Sequence, residues 1–171
     1  MDLYMAVLRF FHIFAGVFWV GSVWILTLFL TPAAEAIGSD ADKFMTYVSV
    51  RRHYPVIISI AAGINILAGL LLYWHDSIGL NLVWIRTPSG LAETFAALCA
   101  ILAFIIAMAV IRPTFEELGR LGHAIHAAGT PPTNEQMTTL LAARKRLDRS
   151  EQIVSILLAL TLLGMATMRY L

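Results

Sequence analysis

Residues 54–74 read YPVIISIAAGINILAGLLLYW, 21 positions without a charged side chain. A hydrocarbon layer about 30 Å thick is crossed by roughly 20 apolar residues in helix. The stretch therefore has the length and chemistry of a membrane span. Three runs of the same kind accompany it. Tyr4 to Thr31 is interrupted by Arg9 and His12, Gly90 to Ile111 carries Glu93 near its start, and Glu151 to Leu171 has charges near its ends. Arg169, at the last of those ends, is placed to reach the interface while its stem stays in apolar surroundings. None of the four shows the alternation of a β-barrel strand, and a helix satisfies its backbone polar groups within its own segment, as lipid requires. The expected fold is all-α, an integral membrane four-helix bundle. It forms a single domain over residues 1–171, with spans at 4–31, 54–74, 90–111 and 151–171.

Composition agrees. Of 171 residues, 59% are hydrophobic and 13% charged, against about 45–50% and 25% in soluble domains. Mean hydropathy is +0.77. Too little polar surface remains to cover a water-soluble globule. The formal net charge of +1 comes without a basic block able to track phosphates, which excludes a nucleic-acid partner. The single cysteine, Cys99, has no intrachain partner for a disulfide. Ala34-Glu35-Ala36 has the small-x-small pattern of a cleavage site, but the apolar run before it exceeds an h-region of about 7–15 residues, and Asp2 weakens the positive n-region. The first run is expected to be retained as a span.

Charge orients the bundle. Four spans place the 1–2 and 3–4 loops on one face, with Lys43, Arg51, Arg52, Arg112, Arg120, Arg144, Lys145, Arg146 and Arg149. The opposite face holds Arg9, Arg86 and Arg169. By the positive-inside rule the first face is cytoplasmic and both termini are outside. Arg112 to Ala128 reads as a continuation of span three, Gly129-Thr130-Pro131-Pro132 as a break, and Asn134 to Ser150 as a helix leading into span four. Thr133 and Gln136 have capping-box spacing. The spacing predicts a cytoplasmic helical hairpin extension between spans three and four. Ser39 to Arg52 reads as an amphipathic lead-in to span two.

Polar residues inside the spans are the informative ones, because lipid makes each expensive. His12 lies about eight residues into span one, roughly 12 Å deep at 1.5 Å per residue. There both imidazole nitrogens need partners, such as a metal on one and an acceptor on the other. Equal helical rise brings Asn65, Cys99 and Thr161 to the same depth, a candidate polar layer. Met5, Arg9, His12 and Gly16 share one face of span one, and Ala61, Asn65 and Gly69 share one face of span two. Two small, polar faces make either a slot for a planar cofactor or ordinary close helix packing. Arg9 and Glu93 read as an ion pair between spans one and three, or as part of an anion clamp beside Arg86. His75, just past span two, offers a second metal ligand if its loop folds back. Met1, Met5, Met165 and Met168 gather near the outer face as thioethers suited to Cu(I). His123 and His126 lack a convincing third zinc ligand. Trp19 and Trp24 read as lipid contact and interface belt.

His12, Ala15, Trp19 and Gly21, then Leu30-x-Pro32, Phe44, Arg51-Arg52 and Gly69-Leu70, together resemble the first half of the HemJ-like and CopD-domain membrane proteins. The resemblance covers residues 7–72. It implies a compact bundle with His12 as a haem ligand and Arg51 or Arg52 as a structural or functional charge. Protoporphyrinogen oxidation belongs to the HemJ-like branch and copper uptake to CopD-type members. The chain departs from the HemJ-like pattern before its last helix, where Arg149-Ser150-Glu151 replaces a Phe-Asn-Glu-Pro-like entry, and a second axial ligand is not evident. The leading expectation is an inner-membrane protein of bacterial type that binds haem b through His12, with Arg9, Gly16, Asn65 and Glu93 around the cofactor. It would act in electron transfer or porphyrin-linked oxidation, in a membrane redox complex or a homo-oligomer. A cofactor-free accessory subunit of a larger membrane complex is the alternative, and a CopD-type copper permease the third.

Overall fold

The structure, a computed structural model, describes residues 3–37, 47, 48, 53–129 and 131–171. Among these no strand occurs, and four helices are long and apolar enough to cross a membrane: Leu3–Ala33, Tyr54–Asp76, Pro88–Ile125 and Asn134–Tyr170. They match the four expected spans, and each extends past the expected bounds at one end or both. In order, the elements are α1 (Leu3–Ile25), α2 (Thr31–Ile37), α3 (Tyr54–Asp76), α4 (Leu82–Ile85), α5 (Pro88–Ile106), α6 (Arg112–Ala128) and α7 (Asn134–Thr167). The expected lead-in over Ser39 to Arg52 lies largely outside the described residues.

The junctions α1–α2 and α5–α6 are single π-helical turns, Leu26–Leu30 and Ala107–Ile111. Both have the same cause in sequence. Thr31 N–H donates to Leu26 O, and Arg112 N–H to Ala107 O, five residues back in each case. The next residues are Pro32 and Pro113. A proline lacks the N–H for the carbonyl four residues before it and collides with that carbonyl. Widening the preceding turn relieves the clash and lets the helix continue. Pro113 is thus accommodated within a continuing helix.

Elsewhere the chain is stopped and restarted by specific groups. After Asp76 the backbone turns through Ile78, Gly79 and Leu80, all at positive φ. Fully buried Ser77 braces this turn, its Oγ accepting from Leu80 N at 3.0 Å. Thr87 caps α5 by accepting from Gly90 N, with Pro88 in the first turn, a favourable position for proline. At Gly90 a Cβ would lie 2.2 Å from the Trp84 carbonyl oxygen, so only glycine lets the α4 turn lie against α5. Thr133 and Gln136 form the expected capping box at the start of α7.

α1 packs chiefly on α3 and α5 on α7, with α3 against α5 and α6 against α7. Trp19, Val20, Ala62, Ala103, Val154 and Leu158 form the central apolar cluster. Trp19 is 1% exposed and meets the Phe104 ring edge-on at 6.3 Å. It is a core residue rather than the lipid contact its composition context predicts. Small residues let α5 and α7 approach: a Cβ on Gly164 would sit 2.8 Å from Ala96 Cβ. The outside is apolar, with Phe10, Phe14, Val17, Leu67 and Leu163 exposed, while Asn65, Glu93 and Glu151 are buried. That inverted distribution is what a lipid solvent selects.

Candidate functional site

α1 and α3 are clasped by a reciprocal pair of hydrogen bonds. His12 Nδ1 lies 3.0 Å from the Asn65 backbone oxygen, and Asn65 Nδ2 donates to the His12 backbone oxygen at 2.8 Å. Each side chain therefore bonds to the other residue's own carbonyl. A helical carbonyl already receives the N–H four residues on, and its second lone pair is normally covered by side chains. Here the residues four on are Gly16 and Gly69. A Cβ on Gly16 would stand 2.6 Å from Asn65 Nδ2, and one on Gly69 2.8 Å from His12 Cε1. The two glycines open the notches that the two polar side chains fill.

Of the two readings of the glycine faces, close helix packing is the one met at Gly16. The glycine faces do not hold open a slot for a planar group beside Gly16, because the Asn65 amide occupies that space. The depth match between His12 and Asn65 is realised as direct contact. Since a carbonyl only accepts, Nδ1 carries the ring hydrogen, and the 3.3 Å approach of Asn65 Nδ2 to Nδ1 is then a contact between two donors. In the neutral ring Nε2 keeps its lone pair. Nε2 has no hydrogen-bond partner among the described residues.

Next to the clasp lies a cavity of 240 Å³ bounded by α1, α3, α5 and α7. Its polar wall is His12, Asn65, Tyr73, Glu93 and Thr161, and the remainder is apolar, including Trp19, Ala97, Leu158 and Met165. Tyr73 and Thr94 share a hydrogen bond of 2.7 Å, and Thr161 donates to Leu157 O at 2.9 Å. Glu93 is 4% exposed, and its Oε2 is buried without a hydrogen-bond partner. Ile13, Val17, Leu70 and Leu162 line the cavity and are exposed on the outer surface, so it opens sideways between helices.

Of the expected cofactor residues, His12, Gly16, Asn65 and Glu93 are brought to this one cavity. Arg9 is not: its side chain is exposed, and no Arg9–Glu93 ion pair occurs among the described residues. Although Arg9 has same-face spacing with Met5 and His12, its side chain lies in the exposed border of that face. His75 is also exposed and pairs with Asp76 Oδ1 at 3.1 Å, outside the cavity. The turn at Ser77 to Leu80 brings α4 back so that Trp84 meets the Tyr73 ring edge-on at 5.9 Å, but it leaves His75 on the outer surface. Arg86 is exposed. Thr161 joins the polar layer at the cavity, whereas Cys99 is buried elsewhere in the packing. Met165 lines the cavity and Met5 is buried beside the α1 face.

Tyr73 is the polar wall residue that the sequence reading missed, and Met165, read there as a thioether near the outer face, lines the cavity. Tyr73 stands eight residues after Asn65 on the same helix face, a spacing that was available to find it. Among the described residues no group of three His, Cys, Asp or Glu is placed to hold a metal ion. On the opposite face of the bundle, Arg112 Nε pairs with Glu116 Oε1 at 3.2 Å. Arg146 reaches across from α7 to Glu117 and, at 3.0 Å, to Thr114 Oγ1. Arg51 and Arg52 lie outside the described residues, and His123 is exposed. Compared with protein-family models, curated proteins and solved structures, the chain matches none.

Proposed function

We propose that the chain is a multi-pass inner-membrane protein that binds haem b with His12 as axial ligand, in electron transfer or porphyrin-linked oxidation. In this reading both termini lie outside, and α6 with the first half of α7 forms a helical hairpin on the cytoplasmic side. The observation that carries it is the His12–Asn65 hydrogen bond. Ligating histidines characteristically donate the other ring N–H to a carbonyl or carboxylate, which fixes tautomer and orientation and raises ligand basicity. The bond at Nδ1 prepares Nε2 in that way, in the wall of an apolar cavity.

The donor chemistry fits the group; the propionate clamp does not. Among the described residues no Lys or Arg lines the cavity, and Glu93 does. The enclosed 240 Å³ also falls short of the roughly 300–1,000 Å³ of sites that surround a drug-sized ligand. Of the lining residues only the His12 imidazole would hold the group, and Ile13, Val17, Leu70 and Leu162 would border it where the cavity opens. Haem, when bound, supplies one-electron chemistry. The protein's part is to hold His12 through Asn65, to leave room for the ring at Gly69, and to keep water away with apolar walls that set the local dielectric.

A specific observation also favours the cofactor-free accessory subunit: the clasp alone satisfies His12 Nδ1 and the Asn65 amide and fills both glycine notches. One measurement separates the readings. Protein purified in detergent from haem-replete cells is expected to show a Soret band that His12→Ala abolishes while helicity and elution volume persist. Colourless protein after haem supplementation, copurifying in fixed ratio with a larger membrane complex, overturns the haem reading in favour of the subunit. The copper permease keeps its own test, uptake that depends on Met5 and His12.

A further inference from the structure

Three side chains in the wall of the cavity have already spent their hydrogens. His12 Nδ1–H goes to the Asn65 carbonyl, and Thr161 donates to Leu157 O. Thr94 gives its one hydrogen to the Gly90 carbonyl at 2.6 Å. In the 2.7 Å bond between Tyr73 and Thr94 the phenol is therefore the donor. None of these groups keeps a hydrogen for Glu93, which lines the same cavity. Glu93 is 4% exposed, and no described residue bonds to its buried Oε2. A polar group left unbonded in apolar surroundings is expensive, and an ionisable one within a membrane span marks a functional position.

We propose that the cavity binds a neutral, lipid-borne aromatic ring that carries a hydroxyl, the chemistry of a membrane quinol, with the hydroxyl donating to the Glu93 carboxyl. Size, access and charge each select this class. The enclosed 240 Å³ exceeds the volume of about 150 Å³ at which an apolar cavity already takes up benzene, so a substituted single ring has room. Trp19 and Tyr73 in the wall offer aromatic surfaces against which such a ring packs. The mouth residues Ile13, Val17, Leu70 and Leu162 are apolar and exposed. The ligand thus enters from the hydrocarbon and leaves its aliphatic tail there. Among the described residues no Lys or Arg lines the cavity, which leaves a phosphate or carboxylate headgroup without a counter-charge. A hydroxyl satisfies Glu93 whether the carboxyl is neutral or charged, because either form keeps an oxygen lone pair. A quinone, with carbonyls alone, brings no hydrogen. The inference uses Glu93 and not His12 Nε2, and it does not rest on haem.

The test is thermal unfolding of the full chain in detergent with p-decylphenol or its methyl ether, p-decylanisole, which share ring and tail and differ in the donor. The phenol is expected to raise Tm saturably, as a ligand of the folded state does. It is expected to bind about tenfold more tightly than the ether, the worth of one hydrogen bond. Glu93→Leu is expected to abolish that preference. Under anaerobic conditions decylhydroquinone is expected to outbind decylbenzoquinone by a similar factor. Equal shifts with phenol and ether, equal binding of hydroquinone and quinone, no saturable shift, or a phenol preference that survives in Glu93→Leu overturns the proposal. The phenol–ether comparison is made on the unaltered protein, so it decides the matter even if Glu93→Leu does not fold.

Discussion

His12 and Asn65 show how two polar side chains become tolerable in lipid: each spends itself on the other's backbone carbonyl, and a glycine one turn later uncovers that carbonyl. Interhelical hydrogen bonds in membrane proteins contribute about 0.6 kcal/mol on average and at most ~1.7. Asn65→Ala removes one bond of the clasp and leaves His12 Nδ1 its acceptor, because the acceptor is backbone. It is expected to lower unfolding stability within that range, measured by denaturant titration in mixed micelles. Gly69→Ala acts differently, by driving a Cβ to 2.8 Å from His12 Cε1. Overpacking of that kind costs about 1–3 kcal/mol, and it also displaces the ring. If His12 ligates haem, Gly69→Ala should shift or bleach the Soret band more than Asn65→Ala does. An unchanged spectrum with an unchanged Tm in Gly69→Ala contradicts the notch described here. That His12 and Asn65 share a depth was legible from helical rise alone; that they touch was not, because helix rotation is set by packing.

The long helices are governed by their prolines and caps more than by their propensities. Pro32 and Pro113 each follow a π-helical turn by one residue, so the two broadened turns are written into the sequence once the missing N–H is followed back along the helix. The capping box at Thr133 was legible in the same local way. Thr133→Ala removes the side-chain acceptor of Gln136 N, a loss worth about 0.5–2 kcal/mol of helix stability. α7 is held farther on by Arg146 and by its packing, so the effect is expected to be local. Faster amide exchange over residues 134–137, with little change in the exchange of Val154 and Leu158, is the outcome to look for. Uniformly faster exchange along α7 contradicts this division. By contrast, Arg9 and Glu93 lay at compatible depths and do not pair, since Arg9 rides on the exposed flank of α1.

At the scale of the whole molecule, the apolar exterior and buried carboxyls place the chain in lipid, and the proposed orientation rests on its cationic loops. Cys99, the single cysteine, is buried, so an added thiol reports alone. Lys145→Cys is expected to react with a membrane-impermeant maleimide only after the cytoplasmic side is opened, and Leu171→Cys in intact spheroplasts. The reverse pattern contradicts the orientation. The sequence by itself determined the four spans, the capping box at Thr133 and which polar residues lie within the spans. Each depends on local hydrogen bonding or on the free energy of moving a side chain from water to hydrocarbon. Only the tertiary structure decided that His12 faces Asn65, that the glycines are filled, that Trp19 is core, and that Arg9 and His75 stand apart. Those outcomes depend on the rotation of each helix about its axis, which ridge and groove packing against the other helices sets and which no single helix contains.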